Sequence, residues 1–340
     1  MGIKGLTTIL KKFAPQSIRE IKLGTLYNKR IAIDTSLFIH KFLYSYNNII
    51  YGFFLQVYHL RRRNIEPLYI FDGKPPKEKS QVIQQRKDNQ IKITNKICNL
   101  ELELKTLNEG KFISTLVKEP TLEDIEIKKK ELTTRIKSLN RQVFKICSND
   151  YVKLKELFNL LNVGYYEAHG EADILCVKLE KENVVDGCMT EDMDFLTHGS
   201  NYLIRDFNNK KNVVNIYNLK DILENLQMTK EEFIDMCILC GCDYSSKIKG
   251  LGAIGSYNFI KKYGNIETFI ENECCENGRY CLDDNFNYKK SREIFDSSNR
   301  EFSYVFYQNK EVKLNELNKF LLENTKLTDK QIKNKFKKLY

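Results

Sequence analysis

Two short apolar runs near the start of the chain each stop on an aspartate, and together they constrain the fold more than any other feature. Lys29-Arg-Ile-Ala-Ile-Asp-Thr passes from alternating to apolar and ends at Asp34. Pro67-Leu-Tyr-Ile-Phe-Asp ends the same way at Asp72, before Gly73-Lys-Pro-Pro breaks the chain. Between them Leu37 to Leu60 carries a helical pattern, so the unit reads strand, helix, strand, a crossover that makes the two strands parallel. Parallel strands share a direction, so both aspartates fall on one edge, the carboxyl edge where open α/β sheets place their ligands. The expected fold class is therefore α/β, with a mostly parallel twisted sheet flanked by helices.

Residues 170–195 add two acidic pairs, Glu171 with Asp173 and Asp192 with Asp194, each spaced i, i+2. Inside a helix such a pair points about 200° apart, so carboxylates that converge at this spacing belong at a helix start or a strand end. Gly170 before Glu171 and Asp173 marks a helix start, since acids favour the first turn. The helix is expected from Ala172 to about Glu182, followed by a buried strand over Val184 to Met189. Thr190-Glu-Asp-Met-Asp is then the loop leaving that strand's carboxyl end. Either pair alone reads more readily as capping or solvation; their sharing an edge with Asp34 and Asp72 shifts the balance.

Residues 77–145 differ in composition, being dense in Lys, Arg, Glu and Gln. Lys79 to Leu107 carries a loose helical period that Asn108-Glu-Gly breaks, and Thr121 with Asp124 forms a capping box that restarts helix. The pattern extends from there to about Asn162, on the order of 60 Å at about 1.5 Å per residue. A solvated helical hairpin is the plain reading. The functional one is a basic arch beside the acidic edge, with Lys77, Lys79, Arg86 and Lys87 facing phosphates. Further on, Tyr202-Leu-Ile-Arg and Val213-Val-Asn-Ile-Tyr read as a strand pair. Leu219 to Leu226 and Lys230 to Leu239 read as helices, the second leading to Asp243. Ile248-Lys-Gly-Leu-Gly-Ala-Ile-Gly then opens a helix with the bare amides of a Gly-x-Gly turn, which can hold a duplex backbone without reading bases. Beyond Glu273 the chain is Asn- and Lys-rich, and Leu314 to Leu322 and Lys330 to Lys338 read as surface helices.

Composition enters as a bound. Hydrophobic residues at 42% and charged residues at 29% are those of an ordinary globular chain, and the net charge of +10 favours a polyanionic partner. With seven acids clustered, the remaining surface is more basic than that total. Ten Cys and four His do not complete a zinc ligand set, and thiols on this scale indicate a reducing intracellular compartment. No apolar run is long enough to span a bilayer, and Leu6 stands where a myristoylation signal needs Ser or Thr.

Taken in order, Met1-Gly-Ile-Lys-Gly-Leu, Ala32-Ile-Asp-Thr-Ser, Phe71-Asp-Gly-Lys-Pro-Pro, Glu171-Ala-Asp, Thr190-Glu-Asp-Met-Asp-Phe-Leu, Cys237-Ile-Leu-Cys-Gly-Cys-Asp-Tyr and Lys249-Gly-Leu-Gly resemble the flap endonuclease and XPG-type family of structure-specific nucleases. The likeness covers roughly residues 1 to 270. It implies nuclease sequence over 1–76 and 151–245, a helical arch over 77–150, a helix-hairpin-helix element over 246–275 and a C-terminal helical extension over 276–340. It assigns metal-binding carboxylates to Asp34, Asp72, Glu171, Asp173, Asp192, Asp194 and Asp243, an all-oxygen set suited to two Mg²⁺, with Mn²⁺ able to substitute. Lys79 and Arg86 fall at the family's arch positions that contact the scissile phosphate. Gly2 and Lys4 lie near the site by the same likeness. The Gly250-Leu-Gly252 turn would bind duplex backbone, with K⁺ held through carbonyls near Ile248 and Leu251.

Departures are as informative. The family's Pro-Lys-Arg after the turn is here Ala253-Ile-Gly, so phosphate contacts shift to Lys247, Lys249, Lys261 or Lys262. His40 stands where typical flap endonucleases place a base-stacking Tyr, as in the exonuclease-one branch. The Asp34 to Asp72 interval is short and the arch interval long. No sliding-clamp-binding motif or basic tail is recognised before Tyr340, so clamp binding is not expected and a monomer is. The implied activity is a structure-specific 5′ nuclease of replication or repair acting on branched or nicked double-stranded DNA with a 5′ flap or 5′ end. The nucleus of a eukaryote, or a viral cytoplasmic replication site, is the matching location. The alternatives are mainly a 5′–3′ exonuclease or a junction-resolving relative, and, less readily, an inactive DNA-binding scaffold.

Overall fold

The computed structural model describes residues 2–109, 121–143, 146–208, 211–274, 279–296, 303–308 and 311–338. The N-terminal segment forms α1 (Leu6–Phe13), which buries Leu6, Ile9 and Leu10 and stops before Pro15 as expected. Then follow β1 (Ile18–Lys22), β2 (Arg30–Asp34), α2 (Thr35–Tyr46), α3 (Ile49–Arg61) and β3 (Glu66–Phe71). The single helix expected over Leu37 to Leu60 is thus two. Asn47 adopts the left-handed conformation at φ 53° that ends α2, and the Asn48 side chain accepts from the Tyr51 amide to cap α3. Adjacent asparagines supply both a helix stop and a start.

The basic region forms α4 (Ser80–Asn108) and α5 (Leu122–Asn140), an antiparallel pair closed by its own small core of Ile97, Leu100, Leu132 and Ile136. Thr121 and Asp124 make the expected capping box. The helical run does not continue to Asn162. It restarts as α6 (Ser148–Leu160), where the Asp150 carboxylate accepts from the Cys147 amide at 2.9 Å. The segment holding Pro120 lies outside the described residues.

The second half runs β4 (Tyr165–Ala168), α7 (Ala172–Lys181), β5 (Gly187–Met189), α8 (Asp194–His198), β6 (Tyr202–Asn208), β7 (Val213–Asn218), α9 (Leu219–Leu226), α10 (Lys230–Cys240), α11 (Ala253–Tyr263), α12 (Ile266–Glu273) and α13 (Tyr288–Phe295). It ends with β8 (Tyr304–Tyr307), α14 (Leu314–Asn324) and α15 (Asp329–Phe336). The eight described strands form one sheet in the order β1-β7-β6-β5-β2-β3-β4-β8. The five central strands, β6 to β4, are parallel, and β1, β7 and β8 add antiparallel edges.

Alternation along the central strands divides the core between two faces. Ala32, Leu68, Ile70, Cys188 and Leu203 face a core completed by α1, α7 and α9 to α13. Ile31, Ile33, Tyr69, Phe71, Met189 and Ile204 face one completed by α2, α3, α6, α14 and α15. The last two helices are therefore not surface additions. They bury Leu317, Phe320, Leu321, Ile332 and Phe336, and Phe336 meets Phe54 edge-on at 6.4 Å. The Asn- and Lys-rich exposed face conceals this stripe from a compositional reading. The nine described cysteines are free, with Cys176, Cys188 and Cys237 in the core. Among the described residues no helix is long and apolar enough to cross a membrane.

Candidate active site

The carboxyl edge of the parallel strands gathers the acids that the sequence singled out. Asp34 is both the last residue of β2 and the cap of α2: Oδ1 accepts from the Ser36 amide at 3.0 Å, and Oδ2 accepts from Thr190 Oγ1 at 3.1 Å. Asp72 follows β3, and its Oδ1 accepts from the Ala172 amide at 2.8 Å, joining two strand-end loops at the start of α7. Glu171 stands at the cap position of α7, with Asp173 in its first turn. Asp192 and Asp194 leave β5, where Asp192 Oδ1 accepts from the Asp194 amide at 3.1 Å. Asp243 lies just past α10. The i, i+2 pairs thus converge where the spacing argument places them, at a helix start and at a strand end.

Burial makes this cluster costly. Asp34, Glu171, Asp173, Asp192 and Asp194 are all buried. Burial, with Asp72 and Asp192 nearby, raises the Asp34 carboxyl to about 8. Burial raises Asp173 well above the carboxylate range although Lys79 opposes it. Asp194 is raised well above it by burial and by the charges of Asp192 and Asp243. Both Asp194 oxygens are buried without a hydrogen-bond partner among the described residues. A buried carboxylate left in this state is unfavourable unless protonated or matched by a cation.

The cations now closest are the protein's own. Lys79, at the base of the arch just before α4, donates to Glu171 Oε1. Burial would lower its ammonium, but Asp173 and Glu171 outweigh that and hold it raised. Arg86, on α4, donates to Asp243 Oδ2 at 2.6 Å. Among the described residues, no group of three or more His, Cys, Asp or Glu side chains is disposed as it stands to hold a metal ion.

The other expected residues distribute unevenly. Gly2, Lys4, Lys77, Arg86, Asp243 and Lys247 line one cleft of about 980 Å³. Gly2, at φ 81°, packs so close that a methyl group on its α-carbon would overlap the Asp192 and Asp194 oxygens. The Lys4 amide donates to the Gly241 carbonyl at 3.1 Å, pinning the N-terminal segment beside Asp243. His40 is exposed on α2, its imidazole lowered by partial desolvation and by the Arg86 charge. Ile248 to Gly252 form the expected turn: the Leu251 amide donates to the Ile248 carbonyl at 3.2 Å, Gly250 sits at φ 84°, and Gly252 caps α11 with open space around it. Lys249 is exposed beside that turn. Lys261 and Lys262 instead lie in the last turn of α11, about 13 Å along the helix from Gly252. Lys261 donates to the Gln227 carbonyl there, and Lys262 to the Tyr263 hydroxyl.

Three contributions escaped the sequence. Thr190 bonds Asp34 through its hydroxyl while accepting from the Asp192 amide at 3.2 Å. Glu191 is clamped by Lys41 at 2.5 Å, and Arg205 donates to the Glu191 carbonyl at 3.1 Å, so α2 and β6 both steady the loop that carries Asp192 and Asp194. Tyr244 donates to Glu171 Oε2 at 2.7 Å. Thr190 and Tyr244 adjoin the acids in quoted motifs, but adjacency does not reveal which carboxylate a hydroxyl reaches.

The sheet is mostly parallel, its carboxyl edge is acidic, and the basic side chains of Lys79 and Arg86 reach that edge from just before and within α4. Residues 1–93 match the XPG N-terminal domain, and 162–243 match the XPG I-region. Flap endonuclease 1 of Entamoeba histolytica is 32% identical over 313 residues, spanning 87% of this chain and 75% of that protein, and its Glycine max counterpart is 33% identical over 313 residues, spanning 87% and 74%. Among solved structures, the catalytic core of Rad2 in complex with DNA substrate superposes with a TM-score of 0.69 at 21% identity, covering 100% of both chains. Flap endonuclease-1 from Methanococcus jannaschii gives 0.63 at 19% identity, covering 95% of each. The chain belongs to the flap endonuclease family.

Proposed function

We propose that the chain is a structure-specific 5′ nuclease that hydrolyses phosphodiesters in branched or nicked duplex DNA. It incises near the foot of a 5′ flap, degrades from 5′ ends, and leaves a 5′-phosphate and a 3′-hydroxyl. The observation that carries this reading is the buried Asp194 carboxylate, without a hydrogen-bond partner among the described residues and in the field of Asp192, Asp243, Glu171 and Lys79. The donor set is oxygen only, which fits Mg²⁺ or Mn²⁺. Asp34, Asp72, Glu171, Asp173, Asp192, Asp194 and Asp243 would hold two such ions once Lys79 and Arg86 swing away. When bound, the ions supply a water nucleophile at neutral pH and positive charge for the leaving oxygen.

The chain's own residues do the rest. Lys79 and Arg86, released from Glu171 and Asp243, turn to the scissile phosphate and stabilise its developing charge. Gly250, Gly252, Lys247 and Lys249 hold the duplex backbone through the turn before α11, the helix-hairpin-helix role, with K⁺ near Ile248 and Leu251. Lys261 and Lys262 reach phosphates farther along. His40, exposed beside Arg86, meets the base or phosphate next to the cut.

The test is a 5′-labelled flap duplex incubated with Mg²⁺ or with chelator. Cleavage near the junction in Mg²⁺ alone is expected; binding with no cut at any flap, nick, gap or 5′ end would overturn the reading. Product lengths on a flap, a blunt end and a four-way junction separate endonuclease, exonuclease and resolvase emphasis. Gly2→Ala is expected to slow cleavage at least about tenfold, because displaced reacting groups lose rate steeply. A wild-type rate would show that the Gly2 contact is incidental.

A further inference from the structure

We propose that Tyr244 is a positioning residue that fixes the Glu171 carboxylate and holds Lys79 beside it, so that one buried side chain couples the arch to the acidic cleft. The inference rests on the metal-holding reading of Glu171.

Tyr244 follows Asp243 directly and is buried. Its hydroxyl donates to Glu171 Oε2 at 2.7 Å while Lys79 takes Oε1, so the two oxygens of one carboxylate are divided between a neutral donor and a cation. The same Lys79 ammonium lies 5.1 Å from the centre of the Tyr244 ring, a cation–π distance. The ring is held from behind by Phe295 at 5.3 Å and His198 at 6.4 Å, both edge-on and both fully buried.

The two donors are not equivalent. A phenol hydroxyl orients a carboxylate while leaving its charge intact, whereas the ammonium neutralises it. When Lys79 leaves for a phosphate, Tyr244 remains as the group that keeps Glu171 in its rotamer with one oxygen aimed into the cleft. Partners of this kind around metal-holding residues are worth roughly 10- to 100-fold in metal affinity or activity. The plain alternative is that Glu171 merely satisfies a buried tyrosine hydroxyl.

Tyr244→Phe removes the hydroxyl and keeps the ring. Direct titration with Mn²⁺, followed by the signal of the free ion, is expected to show about tenfold weaker uptake, with flap-duplex binding in chelator changed less than about twofold. Added to Glu171→Ala, the same substitution should change Mn²⁺ affinity less than about twofold, because its effect passes through Glu171. Melting in chelator shows that each variant is folded. A merely structural role would lower the melting temperature in both backgrounds and leave Mn²⁺ uptake unchanged, which overturns the proposal, as would full additivity of the two losses. Wild-type protein that takes up no Mn²⁺ would overturn the functional reading and this inference with it. Wild-type uptake matched by Tyr244→Phe overturns this inference alone.

Discussion

Asp194→Asn is expected to abolish flap cleavage, by on the order of a thousandfold or more, and at the same time to raise the melting temperature of the metal-free protein. The first effect follows from removing a carboxylate that lies in the field of Asp192 and Asp243 and whose oxygens have no hydrogen-bond partner among the described residues. The second follows from the sign of the pKa shift. Burial, Asp192 and Asp243 raise the Asp194 carboxyl far above its ordinary value, so between that value and the folded one the native state binds more protons than the unfolded chain. Stability contributed this way is present at low pH and is lost as pH rises through the window.

Asp34, raised to about 8 by burial and by Asp72 and Asp192, adds a slope of the same sign between about pH 4 and 8. In chelator, the wild-type melting temperature should therefore fall from pH 5 to pH 8, and Asp194→Asn should flatten that fall. Saturating Mg²⁺ should stabilise the wild type strongly and the variant weakly. A variant that melts below wild type in chelator at pH 8 would contradict this account, whatever its activity.

These opposite consequences explain why the site was more legible in the sequence than the periphery. A carboxylate kept where it destabilises the fold leaves a pattern that ordinary capping does not: acids at strand ends and at i, i+2 spacing. Asp34, Asp72, Glu171, Asp173, Asp192 and Asp194 lie on the predicted edge because strand direction and helix start are local properties of the chain. Asp243 required the long connection through α9 and α10. What did not show was set by tertiary contact. The break at Asn47 and Asn48 was written in turn chemistry but outweighed by the apolar period around it. The burial of α14 and α15 depends on the sheet face formed by Ile31, Ile33 and Tyr69, far away in sequence. The engagement of Lys79 and Arg86 by Glu171 and Asp243 is likewise a matter of which groups meet, and residue types alone give only two basic side chains near an acidic cleft.

That engagement leads to a second large effect, in the opposite thermal direction. Lys79→Ala is expected to slow cleavage by roughly 10²- to 10³-fold at saturating metal, as loss of one preorganised charge at a reacting phosphate does, while duplex binding in chelator changes little. In the metal-free protein the same ammonium is bonded to Glu171 and lies in the field of Asp173 and Asp194. Its removal leaves buried negative charge without a counterion, a change on the order of 3 to 5 kcal/mol for buried pairs. The melting temperature in chelator should accordingly fall, where that of Asp194→Asn rises. Because Lys79 competes with divalent ions for the same carboxylates, the variant should also gain more stability than wild type from a given Mg²⁺ concentration. Combining Lys79→Ala with Asp194→Asn should bring the metal-free melting temperature back towards wild type, since the asparagine removes part of the buried negative charge that loss of the ammonium leaves unmatched. If Lys79→Ala cuts flaps at the wild-type rate, Lys79 has no part in the chemistry. If it melts higher than wild type in chelator, the ammonium is not what neutralises the acids at rest.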